Sequence, residues 1–291
     1  MGIPLTVGGP DGGQVTTPGQ LQFGPMLLGS GTSAGWRELV GWRDHPGAQA
    51  ADSQRPQAHG ALPGSVYGDS LVVTFTYLLR GRPDDKAAMV ELIERNTRMD
   101  GVERALVVDD GRGPELRMAR VIGRTVPQDK SYRHGPLECS VQFLCADPRR
   151  YSLEEHTTTV RLPVTIGGLT YPLEYPLDYG VSVGGGRIVD NAGGETSPLV
   201  VTFRGPLSAP VLACDDWRLA FTLNLAAGDV LTVDAKAGTA VLNGAADRLY
   251  TIAMDSSPLD LVALPPGGTN LTLTAADGTG TAEVVWRDAR M

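Results

Sequence analysis

The run LECSVQFL, residues 137–144, puts Leu137, Cys139, Val141 and Phe143 on one side of an extended chain and Glu138, Ser140 and Gln142 on the other. A period of two is that of a strand, and one apolar face opposite one polar face suits a sheet that covers a core on one side only. The run LVVTFTY, 71–77, repeats the pattern, with Leu71, Val73, Phe75 and Tyr77 against Val72, Thr74 and Thr76. Thirty-seven glycines and 21 prolines supply the turns that many short strands need, so long helices are not expected to dominate.

A chain of 291 residues is longer than one core usually organises, which predicts two domains. The first, 1–152, reads as a β domain with one helix. LQFGPMLL, 21–28, gives two short strand pieces. A long polar, Gly/Pro-rich segment from Gly41 to Asp69 then reads as an arm or interaction loop, suited to contact with a neighbouring chain. Pro83 with Asp84 and Asp85 opens a helix whose apolar positions are Met89, Leu92 and Ile93, ending between Asn96 and Gly101. Further strands are predicted at 104–108, 115–122 and 137–144. The composition shifts near residue 152, where a Pro/Gly/Tyr-rich stretch, 167–180, leads into the second domain, 153–291. Strands at 199–204, 210–213, 218–225, 230–234, 239–242, 271–274 and 281–287, punctuated by Asn243-Gly244 and Asp277-Gly278, predict an all-β sandwich.

The residue types argue against several functions. A formal charge of −8 opposes nucleic-acid binding, which rests on Lys and Arg neutralising phosphates. Cys139, Cys145 and Cys214 lack metal or disulfide spacing and read as buried thiols. The N-terminus lacks a signal-peptide pattern, no run of about 18 apolar residues predicts a membrane span, and Gly2 with Thr6 fits only a loose myristoylation pattern.

No catalytic, cofactor or metal site is expected. GSGTSAG, 29–35, superficially matches a dinucleotide-binding turn, but no helical face follows it, and it reads as a flexible turn, as does Gly184 to Gly186. The pairs Asp84/Asp85, Asp109/Asp110, Glu154/Glu155 and Asp215/Asp216 read as solvated turns and caps. His45, His59, His134 and His156 are scattered, without metal-ligand spacing. Trp36, Trp42, Trp217 and Trp286 read as packing residues rather than sugar platforms.

Taken in order, LQFGPMLLG (21–29), VGW (40–42), RPQAHGALPGSVYGDSLVVTFTYLLRG (55–81), VQFLCADPRRYS (141–152), NAGGETSPLVVTFRGPLSAPVL (191–212), FTLNLAAGDVLTVDA (221–235) and LPPGGTNLTL (264–273) resemble the distal tail protein family of long, non-contractile-tailed bacteriophages, the siphovirus-type tail components. The resemblance spans nearly the whole chain. It implies a belt domain related to tail-tube folds followed by a galectin-like β-sandwich. It also implies a virion protein without catalytic residues, forming a hexameric ring at the tail tip between tail tube and tip or baseplate hub proteins, with the tape measure protein and then DNA passing through. On that reading Glu138, Ser140 and Gln142 face the lumen or a subunit interface, and acidic charge keeps DNA from sticking. Two other readings stay open: a carbohydrate-binding adhesion module of the tail tip, and the equivalent ring protein of a gene-transfer agent or other phage-derived particle. An enzyme of the tail tip has no supporting spacing.

Overall fold

The computed structural model describes residues 13–55, 57–166 and 181–291. The N-terminal stretch with Gly2 and Thr6, and the Pro/Gly/Tyr-rich stretch 167–180, lie outside the described residues. The chain divides into two compact units. One holds the described residues up to Leu153 together with Arg290 and Met291, and the other holds Glu154–Ala289. Both are built mainly of strands.

The first unit is organised by a nine-stranded sheet whose main path runs Met26–Gly29, Gln20–Phe23, Arg104–Asp109, Pro114–Thr125, Leu137–Cys145, Leu71–Leu79, Ala34–Val40. Every pairing along it is antiparallel. The two end strands are consecutive in the chain, joined by the turn at Ser30 to Ser33, so the sheet curls around its core. That core takes the odd-numbered residues of both alternating runs, Val73, Phe75 and Tyr77 with Cys139, Val141 and Phe143, together with Phe23, Met26 and Leu106. Each fully buried large apolar side chain contributes about 1.5–3 kcal/mol.

Helix α1, Pro83–Asn96, starts as the sequence predicts. Pro83 needs no N–H partner in the first turn, and the Arg82 N–H donates to Asp85 Oδ2 at 3.3 Å. It ends where the Thr97 hydroxyl donates to the Ile93 carbonyl at 2.6 Å. Ile93 is fully buried in the core. A second helix, α2, Lys130–Arg133, was not predicted; four residues are too few for apolar periodicity, and Asp129 caps it by accepting from Ser131 N at 2.8 Å. Buried Lys86 of α1 ties the two helices together, its Nζ donating to the carbonyls of Ser131, Tyr132 and Gly135 at 3.1, 3.2 and 2.5 Å.

GSGTSAG joins two strands as a turn, with the Thr32 hydroxyl donating to the Gly29 carbonyl at 2.8 Å. The strand after it, Ala34–Val40, escaped the sequence reading because it buries little and is bulged between Trp36 and Glu38, which breaks the period of two. The segment Gly41 to Asp69 forms two short ladders, Ala48–Ala50 with Val66–Gly68 and Ser53–Gln54 with Ala61–Leu62, mostly exposed. Its root is the exception, because Trp42 enters the core.

The second unit is a β-sandwich. One sheet runs His156–Arg161, Thr281–Trp286, Val200–Arg204, Val230–Asp234, Thr239–Leu242, Ala246–Asp247, and the other Gly186–Asn191, Gly267–Thr274, Val211–Ala213, Arg218–Ala220. One core receives Phe203, Leu231 and Val284 from the first sheet and Leu212, Leu219 and Leu273 from the second. Residues 218–225, expected as one strand, divide into Arg218–Ala220 and Asn224–Leu225, because Phe221 instead bridges Ile252. The strands Gly186–Asn191 and His156–Arg161 were not anticipated. Each lies at the edge of its sheet and is largely exposed, so its apolar signal is thin.

Candidate functional site

The open face of the first sheet is the surface that the alternating runs set apart. Opposite the core, Ser140 pairs with Thr76, Gln142 with Thr74, Glu138 with Leu78 and Leu144 with Val72. The neighbouring strands extend these rows, with Thr125 across from Ser140, Gly123 from Gln142, Glu38 from Thr76 and Val40 from Thr74. The surface is a carpet of short hydroxyl and amide side chains with an apolar fringe at Val40 and Val72. Glu138 and Gln142 are exposed and Ser140 half-buried, so all three residues singled out from the sequence lie on this face.

Its charge differs from the expectation. Glu138 meets Arg37 Nε at 3.2 Å, and the other charges brought to this face by register are Glu38 and Arg120. Two acids face two arginines, so the face is balanced rather than acidic, and the net −8 of the chain is carried elsewhere. Arg37 was missed because it occupies the bulge. Both partners of its ion pair are about half exposed, which limits the pair to a few tenths of a kcal/mol.

The root of the arm holds a second feature that sequence reading missed. Arg43 donates to both oxygens of Asp110 at 2.6 and 2.8 Å and lies 2.9 Å from Glu115. Glu115, almost fully buried, also meets Arg150 at 3.4 Å and Arg290 at 3.2 Å. Arg150 in turn donates to the carbonyls of Trp42 at 2.9 Å and Met291 at 2.7 Å. Arg117 lies 5.1 Å over the Trp42 ring and donates to the Gly41 carbonyl at 3.1 Å. Gly41 has φ +87, and a side chain there would run into the Val72 carbonyl, so the turn into the arm requires glycine.

The reading of Asp109/Asp110 as solvated is therefore corrected. Asp109 is buried and its Oδ1 accepts from Gly111 N at 2.8 Å, and Asp110 is clamped by Arg43. Hydrogen bonding by Arg43 holds the Asp110 carboxyl below its ordinary range, and the hydrogen bond to Asp110 raises Arg43. Burial pulls the Arg117 guanidinium down to about 10 and lowers Arg150 as well.

The remaining candidates behave as ordinary structure. Cys139 and Cys145 are buried, and burial pushes their thiols up to about 11 and about 12; Cys214 is half-buried. His156 packs against Trp286 in a tilted arrangement with ring centroids 5.4 Å apart, and its Nε2 lies 3.4 Å from Asp288. Trp42, Trp217 and Trp286 are buried and Trp36 half-buried, packing against Phe75. Among the described residues no group of three or more His, Cys, Asp or Glu could hold a metal ion, and no helix is long and apolar enough to cross a membrane.

Residues 193–289 match the family model described as the siphovirus-type tail component, C-terminal domain. No curated protein sequence matches the chain. Among solved structures, the Dit protein (gp 19.1) of phage SPP1 aligns with a TM-score of 0.65 and 14% identity over 94% of this chain and 99% of that one. That protein is described as a paradigm of the hub adsorption apparatus of phages infecting Gram-positive bacteria. Chains of the phage P2 baseplate in its activated conformation align at TM-scores of 0.54 with calcium and 0.53 with strontium, each at 9% identity. They cover 94% and 92% of this chain and 98% and 97% of their own. Residues 193–289 are thus similar to the siphovirus-type tail component C-terminal domain, within a chain whose fold is that of the SPP1 Dit protein.

Proposed function

We propose that this chain is a structural protein of a long-tailed phage virion or a phage-derived particle, assembling as a ring, six copies in the simplest case, at the distal end of the tail. The observation that carries the reading is the match to the Dit fold over 94% of the chain, which takes in the first unit as well as the recognised C-terminal domain. The open face with Glu138, Ser140 and Gln142 lines the ring opening or a subunit interface, and the arm reaches a neighbouring copy. A balanced, hydroxyl-rich wall suits the passage of a tape measure protein and DNA, because such a wall offers phosphates no excess of cations to hold them. The neighbours on this reading are a tail-tube protein and tip hub proteins. The role is mechanical rather than catalytic, and it calls for no cofactor and no membrane insertion.

The test is immunogold electron microscopy of particles that carry this protein. Gold at the tail end farthest from the capsid is expected. Gold along the whole tail, at the capsid, or absent from intact particles would overturn the proposal.

A further inference from the structure

The loop between Asp247 and Leu261 closes one side of the sandwich. Arg248 N donates to the Ala240 carbonyl of one sheet at 2.7 Å, while Ala253 N and Ser257 N donate to the Ala220 and Arg218 carbonyls of the other at 2.9 and 2.7 Å. Thr222 N donates to the Thr251 carbonyl at 2.9 Å, and the Ser256 and Ser257 hydroxyls accept from Ala220 N and Arg218 N at 3.2 and 3.1 Å. A segment that only covered a sheet edge would be expected to carry polar or charged side chains outward. This one carries Tyr250 at 77%, Met254 at 106% and Leu261 at 62% exposure. The backbone is anchored at both sheets, and the apolar side chains stand in water, as at sites that bind other proteins.

The surrounding charge selects the occupant. Asp215, Asp216, Asp247, Asp255 and Asp260 are all exposed. The turn carrying Asp215 and Asp216 is tied to the same region, because Trp217 Nε1 donates to the Ala263 carbonyl at 2.8 Å. Two arginines lie among these acids, and both are engaged within the surface. Arg218 meets Asp255 at 3.0 Å, and Arg248 lies over the Tyr250 ring with its Nη1 3.1 Å from the hydroxyl. Five aspartates against two arginines leave this region net acidic. A second copy presenting the same acidic surface would be repelled.

We infer that residues 247–261 form a docking surface for a different protein, one that presents an apolar face flanked by lysine and arginine. Tyr250, Met254 and Leu261 pack against that face, and the aspartates set its orientation. The site stands whether or not the chain forms a ring.

The test uses the full chain and two labelled helical peptides with the same leucine face, one flanked by lysines and its twin by glutamates. The lysine peptide is expected to bind about tenfold or more tighter than its twin, and Tyr250→Ser with Met254→Ser to weaken that binding about tenfold or more. Asp215→Asn with Asp216→Asn, which keeps the apolar side chains, should narrow the difference between the peptides. Equal binding of the two peptides, or unaltered binding by the serine variant, overturns the inference. Sedimentation of the wild-type chain and the serine variant should agree. Self-association that only the wild type shows would make a second copy the occupant and overturn the inference as well.

Discussion

Ser140 lies directly across from Thr76 on the open face of the first sheet, while the next residues along the same ladder, Val141 and Phe75, meet on the core side with no solvent exposure. Neighbouring positions on one strand therefore have opposite roles. Phe143→Ala should cost the protein about 3–5 kcal/mol, whereas Gln142→Ala, one residue away, should stay within about 0.5 kcal/mol of wild type. Urea unfolding of the two variants checks this, and the order of the two costs is the informative result.

At the root of the arm, removing the Glu115 charge leaves buried Arg150 and the partly exposed Arg43 and Arg290 without the carboxylate they share. Glu115→Gln should destabilise the protein by about 3 kcal/mol. Hydrogen exchange should speed up at Trp42 and Arg43 first, because both reach this cluster.

The Arg43–Asp110 pair sets a pH dependence. Asp110 is held below its ordinary value, so its contribution to stability is present above the unfolded aspartate pKa of about 3.9 and is lost as pH falls through the lower folded value. Asp110→Asn should lower stability by about 1–2 kcal/mol at neutral pH. The two proteins should converge as acidification passes below that lowered folded value. Chemical unfolding across that range measures it.

Lys86 satisfies three carbonyls around α2 from a buried position. Lys86→Met keeps the stem and removes the donors, and should cost about 1–3 kcal/mol. Faster amide exchange across 129–136, with the sandwich unaffected, would locate the loss.

Maleimide at mildly alkaline pH should reach Cys214 in the native protein and leave Cys139 and Cys145 unlabelled, since burial keeps both thiols protonated. Unfolding in urea should expose all three, as mass spectrometry of the labelled chain would register.

Sequence reading succeeded where a strand buries one face. Residues 71–79 and 137–145 alternate without a break, so their period is visible, and Pro83 with two aspartates marks the start of α1. It missed Ala34–Val40, where a bulge interrupts the period, and the sandwich-edge strands, which contribute little to the core. Glu138, Ser140 and Gln142 could be placed on one face because a strand's period alone decides that. Their partners could not, since Arg37 and Thr76 reach that face through pairings set by the fold. The arm-root cluster was hidden for the same reason, with Trp42 and Arg150 108 residues apart.

Electron cryomicroscopy of this chain at high concentration tests ring formation most directly. Closed rings are expected, with Glu138, Ser140 and Gln142 on the inner wall or set against the adjacent subunit. Single subunits at every concentration, or rings with that face turned outward to solvent, would contradict that expectation.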